Sequence, residues 1–150
     1  YCDVDFQGLS FWEGNEVTLT FDSGDLPLTI ENTGDFPIGF EINILGSNMM
    51  NPYIDLEKDG ELYGKAKFIA YNAFSNVYIN SKDGEQDLIL DQNGNYVANP
   101  LGCQDLSISN GSIYVTFLKL ERGESALTIG MDSGSVGKSS VKYTPLFRSV

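Results

Sequence analysis

The chain has 150 residues, 41% of them hydrophobic and 12% aromatic, which predicts one water-soluble globular domain with a single core. Its formal net charge of −12 argues against a nucleic acid partner, because a phosphate backbone is bound by clustered lysine and arginine. No apolar run approaches the roughly 20 residues of a membrane-spanning helix, so no membrane is expected as a partner.

The negative charge is concentrated in the first third of the chain. Residues 1–57 contain eleven acidic residues and no lysine or arginine, whereas residues 58–150 contain ten acidic and nine basic residues. Two interpretations are open. The acidic part docks on a basic neighbour, or its strands lie beside basic strands that carry residues such as Lys138, Lys142 and Arg148.

Short runs of β-branched and aromatic residues, separated by Gly, Asn, Asp and Ser, predict strands and turns along the whole chain. Residues 17–21 and 26–31 both alternate between apolar and polar side chains. The intervening residues 22–25 are typical turn formers, so the two strands are predicted to form a hairpin.

The clearest half-buried strand follows a second turn at residues 32–37. Its apolar side chains fall on one face and alternate with polar ones, and they are Ile38, Phe40, Ile42 and Ile44. Residues 53–57 predict the next strand, which Asp59-Gly60 closes with a tight hairpin turn. Further strands are predicted at 62–71, 75–80, 87–90, 113–120, 126–131 and 141–147.

About ten short strands with regular turn signals predict an all-β fold, a sandwich or jelly roll of antiparallel strands. Residues 1–14 break the alternation and are expected to be an amino-terminal arm or linker, while residues 15–150 form the sandwich. Residues 99–112 are expected to be a surface loop. Because the chain starts at Tyr1 without a methionine, we expect it to be a piece of a longer protein.

The composition argues against an enzyme. There is no histidine, which removes the commonest general base and metal ligand. Two carboxylates could still cleave a glycosidic bond, but nearly every acid lies in a turn or at a polar strand position. We therefore predict no catalytic residues, no metal site and no cofactor.

Three other motifs leave alternatives open. Residues 91–95 weakly resemble a calcium loop, but without flanking helices an Asn-Gly hairpin turn is the better interpretation. Cys2 and Cys103 either form a disulfide or are unrelated thiols. Residues 110–112 match a glycan acceptor, but such triplets occur by chance and no secretion signal accompanies this one, so a turn is the interpretation.

Exposed aromatic residues are the candidate contact sites. Trp12, in a cluster with Phe6 and Phe11, either stacks on a sugar or a partner or packs under the edge of the sandwich. Trp12, Tyr53 and Tyr96 are the predicted partner or glycan contacts, if they lie on a concave sheet.

Several ordered motifs resemble the carboxy-terminal domain of the distal tail protein of siphophages, a hub of the tail tip or baseplate. They are Phe11-Trp12, residues 30–35 followed by Pro37, and residues 51–54, 77–81, 117–124, 127–129 and 141–147. In that family the domain is similar to a galectin-like β-sandwich on the outside of a hexameric ring. The resemblance implies shape and not sugar affinity, because galectins bind sugars through His and Arg, and this chain has only Arg122 and Arg148.

The resemblance implies a structural, non-catalytic protein of the virion tail that is assembled in the bacterial host cytoplasm. The implied partners are other phage tail proteins: the tail tube, the tail-associated or tape-measure protein, and the receptor-binding protein. The isolated domain is expected to be a monomer and its full-length parent a hexamer. Two alternatives are a carbohydrate-binding module for host glycan and a secreted bacterial surface domain.

Overall fold

The computed structural model describes residues 11–68, 73–85, 87–92, 95–98 and 118–149, the segments 87–92 and 95–98 by their backbone. These residues form thirteen β-strands and one short 3-10 helix, Ser23–Asp25. The strands are β1 Phe11–Glu13, β2 Val17–Phe21, β3 Leu28–Asn32, β4 Glu41–Met50, β5 Tyr53–Lys58, β6 Glu61–Lys67, β7 Phe74–Asn80, β8 Asp87–Gln92, β9 Asn95–Ala98, β10 Gly123–Gly130, β11 Ser133–Val136, β12 Ser139–Tyr143 and β13 Leu146–Arg148.

Two large antiparallel sheets face each other across the core. One has the strand order β3-β10-β5-β6, and the other β2-β12-β4-β7-β8-β9, with β11 paired to β4. A single cluster of buried apolar side chains draws on both sheets, with Ile54 and Leu127 from the first and Ile42 and Val141 from the second. The predicted all-β antiparallel sandwich is therefore confirmed.

Period-two alternation correctly predicted which side chains face the core. Ile38, Phe40, Ile42 and Ile44 are each at most 4% exposed. The predicted hairpin after residue 57 is also confirmed, because β5 pairs with β6 and Asp59 and Gly60 have the positive φ angles of a tight turn.

The predicted hairpin of residues 17–21 with 26–31 is wrong. Strand β2 pairs with β12 in one sheet, and β3 pairs with β10 in the other. Between them Asp22 caps the 3-10 helix and leads the chain from sheet to sheet. Phe21 and Ile30 are buried in the same core from opposite sides. Alternation cannot distinguish these arrangements, because the same apolar faces are buried in both.

Other elements differ in extent from the prediction. The strand predicted at 141–147 is divided at Thr144-Pro145 into β12 and β13. Strands β1, β9 and β11 were not predicted, and β1 lies within the residues expected to be an arm or linker. Of the strand predicted at 113–120, the described part is 118–120, where Leu120 forms an isolated bridge with Ile38. The loop at 99–112, the glycan acceptor triplet and both cysteines lie outside the described residues. Within the segments described, no helix is long and apolar enough to cross a membrane.

Candidate interaction surface

Strands β1 and β13 form a separate two-stranded sheet, here called the β1–β13 ribbon. Its register places Phe11 opposite Arg148, Trp12 opposite Phe147 and Glu13 opposite Leu146. Side chains of directly paired residues lie on the same face of an antiparallel pair, and successive residues alternate between faces. The ribbon therefore carries Trp12 and Phe147 on one face, and Phe11 and Arg148 on the other.

The first face presents a stacked aromatic pair. The rings of Trp12 and Phe147 are 4.4 Å apart between centroids and inclined by 21°. A Cβ atom on Gly14 would lie 2.6 Å from the ring of Phe147, so the absence of a side chain there leaves room for this ring. Trp12 is 43% exposed, so Phe147 holds one side of the indole while much of its surface meets solvent.

The opposite face of the ribbon packs on the turn that follows β3. The rings of Phe11 and Phe36 meet edge to face, 4.5 Å apart, and the Arg148 guanidinium lies 5.6 Å from the Phe36 centroid. The backbone N–H of Asp35 donates to the carbonyl of Leu146 at 2.7 Å, and the N–H of Arg148 donates to Oδ2 of Asp35 at 2.8 Å. These contacts join the ribbon to the sandwich.

Asn32 organises this turn. Its side-chain amide donates to the carbonyl oxygens of Phe36, at 2.8 Å, and of Leu120, at 3.2 Å. Its Oδ1 accepts from the N–H of Gly34 at 3.0 Å. A Cβ atom on Gly34 would approach the backbone oxygen of Leu146 to 2.5 Å, so glycine permits the close approach of β13. The sequence identified this segment as a turn, but it carried no signal for the burial of Asn32.

The predicted contact residues Trp12, Tyr53 and Tyr96 lie on three different sheets. Tyr53 is opposite Gly130, and a Cβ atom on that glycine would lie 2.2 Å from the phenol ring, so the ring covers the glycine. Lys65 Nζ lies 4.7 Å from the centroid of the same ring. Tyr96 is in β9, for which the structure gives the backbone. The structure thus does not place the three on one sheet.

The fold places some of the early acidic residues beside lysines from later in the chain. Glu41 pairs with Lys82 at 3.3 Å, and Asp55 with Lys65 at 3.4 Å. The hydrogen bond from Tyr78 to Glu41, at 2.7 Å, and the charge of Lys82 hold the pKa of Glu41 below its usual value. These pairs support the interpretation that acidic strands lie beside basic ones.

Metal and acid-base sites were not expected, and the described segments contain no group of three or more Cys, Asp or Glu side chains placed to hold a metal ion. One groove rich in acidic side chains, about 520 Å³, is open and is lined by Glu13, Glu16 and Glu85 together with Lys82 and Asp83. Asp83 is held by Lys119 at 3.0 Å. The side chains of the weak calcium-loop match at 91–95 lie outside the described part.

No family model matches the sequence, and no curated protein matches it. Its fold is similar to the crystal structure of the SPP1 Dit (gp 19.1) protein, described as a paradigm of the hub adsorption apparatus in phages that infect Gram-positive bacteria. The TM-score is 0.56 at 15% identity, over 93% of this chain and 49% of the other. The chain thus spans about half the length of that protein. At this identity the similarity shows the fold, and the resemblance to a siphophage hub protein is confirmed at that level.

Proposed function

We propose that the chain is a structural, non-catalytic interaction module of a phage tail tip or baseplate, corresponding to the carboxy-terminal domain of a distal tail protein. One observation carries the proposal: 93% of the chain superimposes on part of a phage hub protein, although only 15% of the residues are identical. A match of this extent includes both sheets of the sandwich. Fold alone does not fix function, so the proposal needs a test of location and docking.

In this proposal the domain works in the virion tail, after assembly in the host cytoplasm. Its partners are the tail tube, the tail-associated or tape-measure protein and the receptor-binding protein. The isolated domain is a monomer, and its parent assembles as a hexamer. The β1–β13 ribbon is the proposed docking element, because an exposed tryptophan backed by a second aromatic ring is typical of binding hot spots.

Location is tested by immunogold microscopy of virions produced from the genome that encodes the chain, with antibodies raised against these residues. Gold at the tail tip is expected. Gold on host cells with none on virions would contradict the proposal and favour a bacterial surface protein.

Docking is tested by Trp12→Ala, with Leu62→Ala as the matched control. Leu62 is an apolar residue on β6 that is 39% exposed, close to the 43% exposure of Trp12. We expect the Trp12 variant to fold normally and to be incorporated into tails at least about tenfold less well. A loss of this size is expected when one hot-spot side chain is removed. Leu62→Ala should be incorporated normally. Equal incorporation of both variants would refute docking through the ribbon.

A second candidate function, host glycan binding, is favoured by the same exposed indole, because a flat aromatic ring can stack on a sugar. Trp12 is the only tryptophan, so its fluorescence reports on this position alone. Titration with host cell-wall oligosaccharides should shift the emission saturably if sugar binds there. Unchanged emission up to millimolar sugar would exclude a glycan site at Trp12.

A further inference from the structure

The two arginines of the chain line one cleft. Arg122 precedes β10 and Arg148 ends β13, yet both line an open cavity of about 530 Å³ together with Asp35 and Ser149. Seven of the nine basic residues are lysines, so the placement of both arginines at one cavity is a specific feature of this fold.

Both guanidinium groups lack a carboxylate partner within the described part of the chain. The three ion pairs found there all use lysines, which are Lys65, Lys82 and Lys119. The protein has 21 acidic residues, so the lack of a carboxylate partner for either arginine in these segments is not due to a shortage of acids. The Asp35 carboxylate, which also lines the cleft, is engaged through Oδ2 by the backbone N–H of Arg148 and not by a guanidinium.

The cleft is held in place from both sides. Lys58 Nζ donates to the carbonyl of Arg122 and so fixes the turn before β10. The Arg148 guanidinium lies against the ring of Phe36, which limits its rotamers. A guanidinium group restrained in this way loses less entropy on binding than a free one, and the planar donors of both arginines match the two oxygens of a carboxylate.

We propose that Arg122 and Arg148 form a binding site for a carboxylate side chain, an Asp or Glu presented by a partner protein. A single carboxylate is favoured over a phosphate polymer because the net charge of −12 repels an extended polyanion at long range. A lone acidic side chain experiences mainly the two nearby arginines. The inference rests on the proposed docking function for its partner, and it names the chemistry that the partner presents.

The test is a titration of the whole 150-residue chain with glutarate, followed by NMR. The chain has two arginines and hence two Nε–Hε signals, which report on the cleft directly. Both signals should move saturably with a Kd on the order of millimolar, as expected for a small exposed ion. Sodium chloride at equal ionic strength should not reproduce the shift.

Variants of Arg122 distinguish binding through the planar donors of the guanidinium from binding through positive charge alone. Arg122→Gln should weaken glutarate binding at least about fivefold, and Arg122→Lys by a smaller factor, since lysine keeps the charge and loses the planar donors. The matched control is Lys138→Gln, which removes one exposed positive charge elsewhere and should leave the titration unchanged.

Three results would overturn the inference: no saturable movement up to about 50 mM glutarate, well above millimolar affinity; equal weakening by Lys138→Gln; or tighter binding of inorganic phosphate than of glutarate. The last would indicate a phosphate-bearing partner. Each result is independent of the immunogold experiment, so a failed carboxylate site and a failed tail location are distinguishable.

Discussion

Replacing Asn32 by alanine should destabilise the protein more than any change at an exposed turn. The side chain is 2% exposed and makes three hydrogen bonds, two as donor and one as acceptor. The carbonyl of Leu120 keeps a second partner, because the N–H of Ile38 donates to it at 3.0 Å. The N–H of Gly34 and the carbonyl of Phe36 lose the partner that Asn32 supplied.

The cost follows from those losses. A net contribution of about 1 kcal/mol for each of two to three buried hydrogen bonds lowers the free energy of unfolding by about 2–3 kcal/mol. For a domain of this size the fall in Tm is about 5–10 °C. Urea unfolding followed by circular dichroism measures the change, with Asn15→Ala as the exposed control, expected within about 0.5 kcal/mol of wild type.

Asn32→Asp sharpens the test. Aspartate still accepts from Gly34, but its second oxygen faces two carbonyl oxygens, so the charged form is disfavoured and the folded-state pKa is raised. Protonation supplies one donor, so the penalty is smallest below the unfolded-state pKa of about 3.9. It grows as pH rises through the folded-state pKa. A penalty for Asn32→Asp equal at pH 3.5 and pH 7, or a loss below about 0.5 kcal/mol for Asn32→Ala, would refute this account of the turn.

Two further predictions concern the ribbon and the outer face of the larger sheet. Gly34→Ala should force the turn away from Leu146 and speed amide exchange in β1 and β13, as measured by mass spectrometry. Gly137→Ala is the control and should not speed this exchange, because a Cβ atom at Gly137 makes only ordinary contacts. Equal exchange in the two variants would contradict the packing of the turn on β13. Because the pKa of Glu41 is lowered from 4.5, its stabilising effect is present above that pH and is lost as pH falls through the folded-state pKa. The stability difference between wild type and Glu41→Gln should therefore shrink below pH 4.5 in urea titrations, and a constant difference would contradict the role of Tyr78 and Lys82.

Local patterns predicted the parts of the fold that depend on neighbouring residues. Alternation along β4 identified the buried side of the strand, because one face meets the core whichever strands are its neighbours. Asp59-Gly60 predicted a hairpin since both residues tolerate positive φ. The fold class needed no more than such signals repeated along the chain.

Strand pairing depends on residues far apart, and there the sequence was insufficient. The alternation in β2 and β3 fits a hairpin and a cross-core pair equally well, and only the cross-core pair is present. The β1–β13 ribbon joins the beginning and the end of the described chain through three residue pairs, too few to leave a pattern. Trp12 was a candidate from its residue type, while its support by Phe147 depends on this pairing.

The two proposed contacts, docking through Trp12 and carboxylate binding through Arg148, both depend on the turn that follows β3. Loss of these contacts can therefore be distinguished from unfolding of the protein. Trp12 lies on one face of the ribbon, Arg148 on the other, and the turn organised by Asn32 and Gly34 holds the ribbon to the sandwich. Trp12→Ala should therefore spare carboxylate binding, whereas Gly34→Ala should weaken both contacts while the two large sheets stay folded. If Gly34→Ala left glutarate binding unchanged, the cleft would not depend on packing of the ribbon against the sandwich. Arg148 could then not be one of the two arginines that bind the carboxylate.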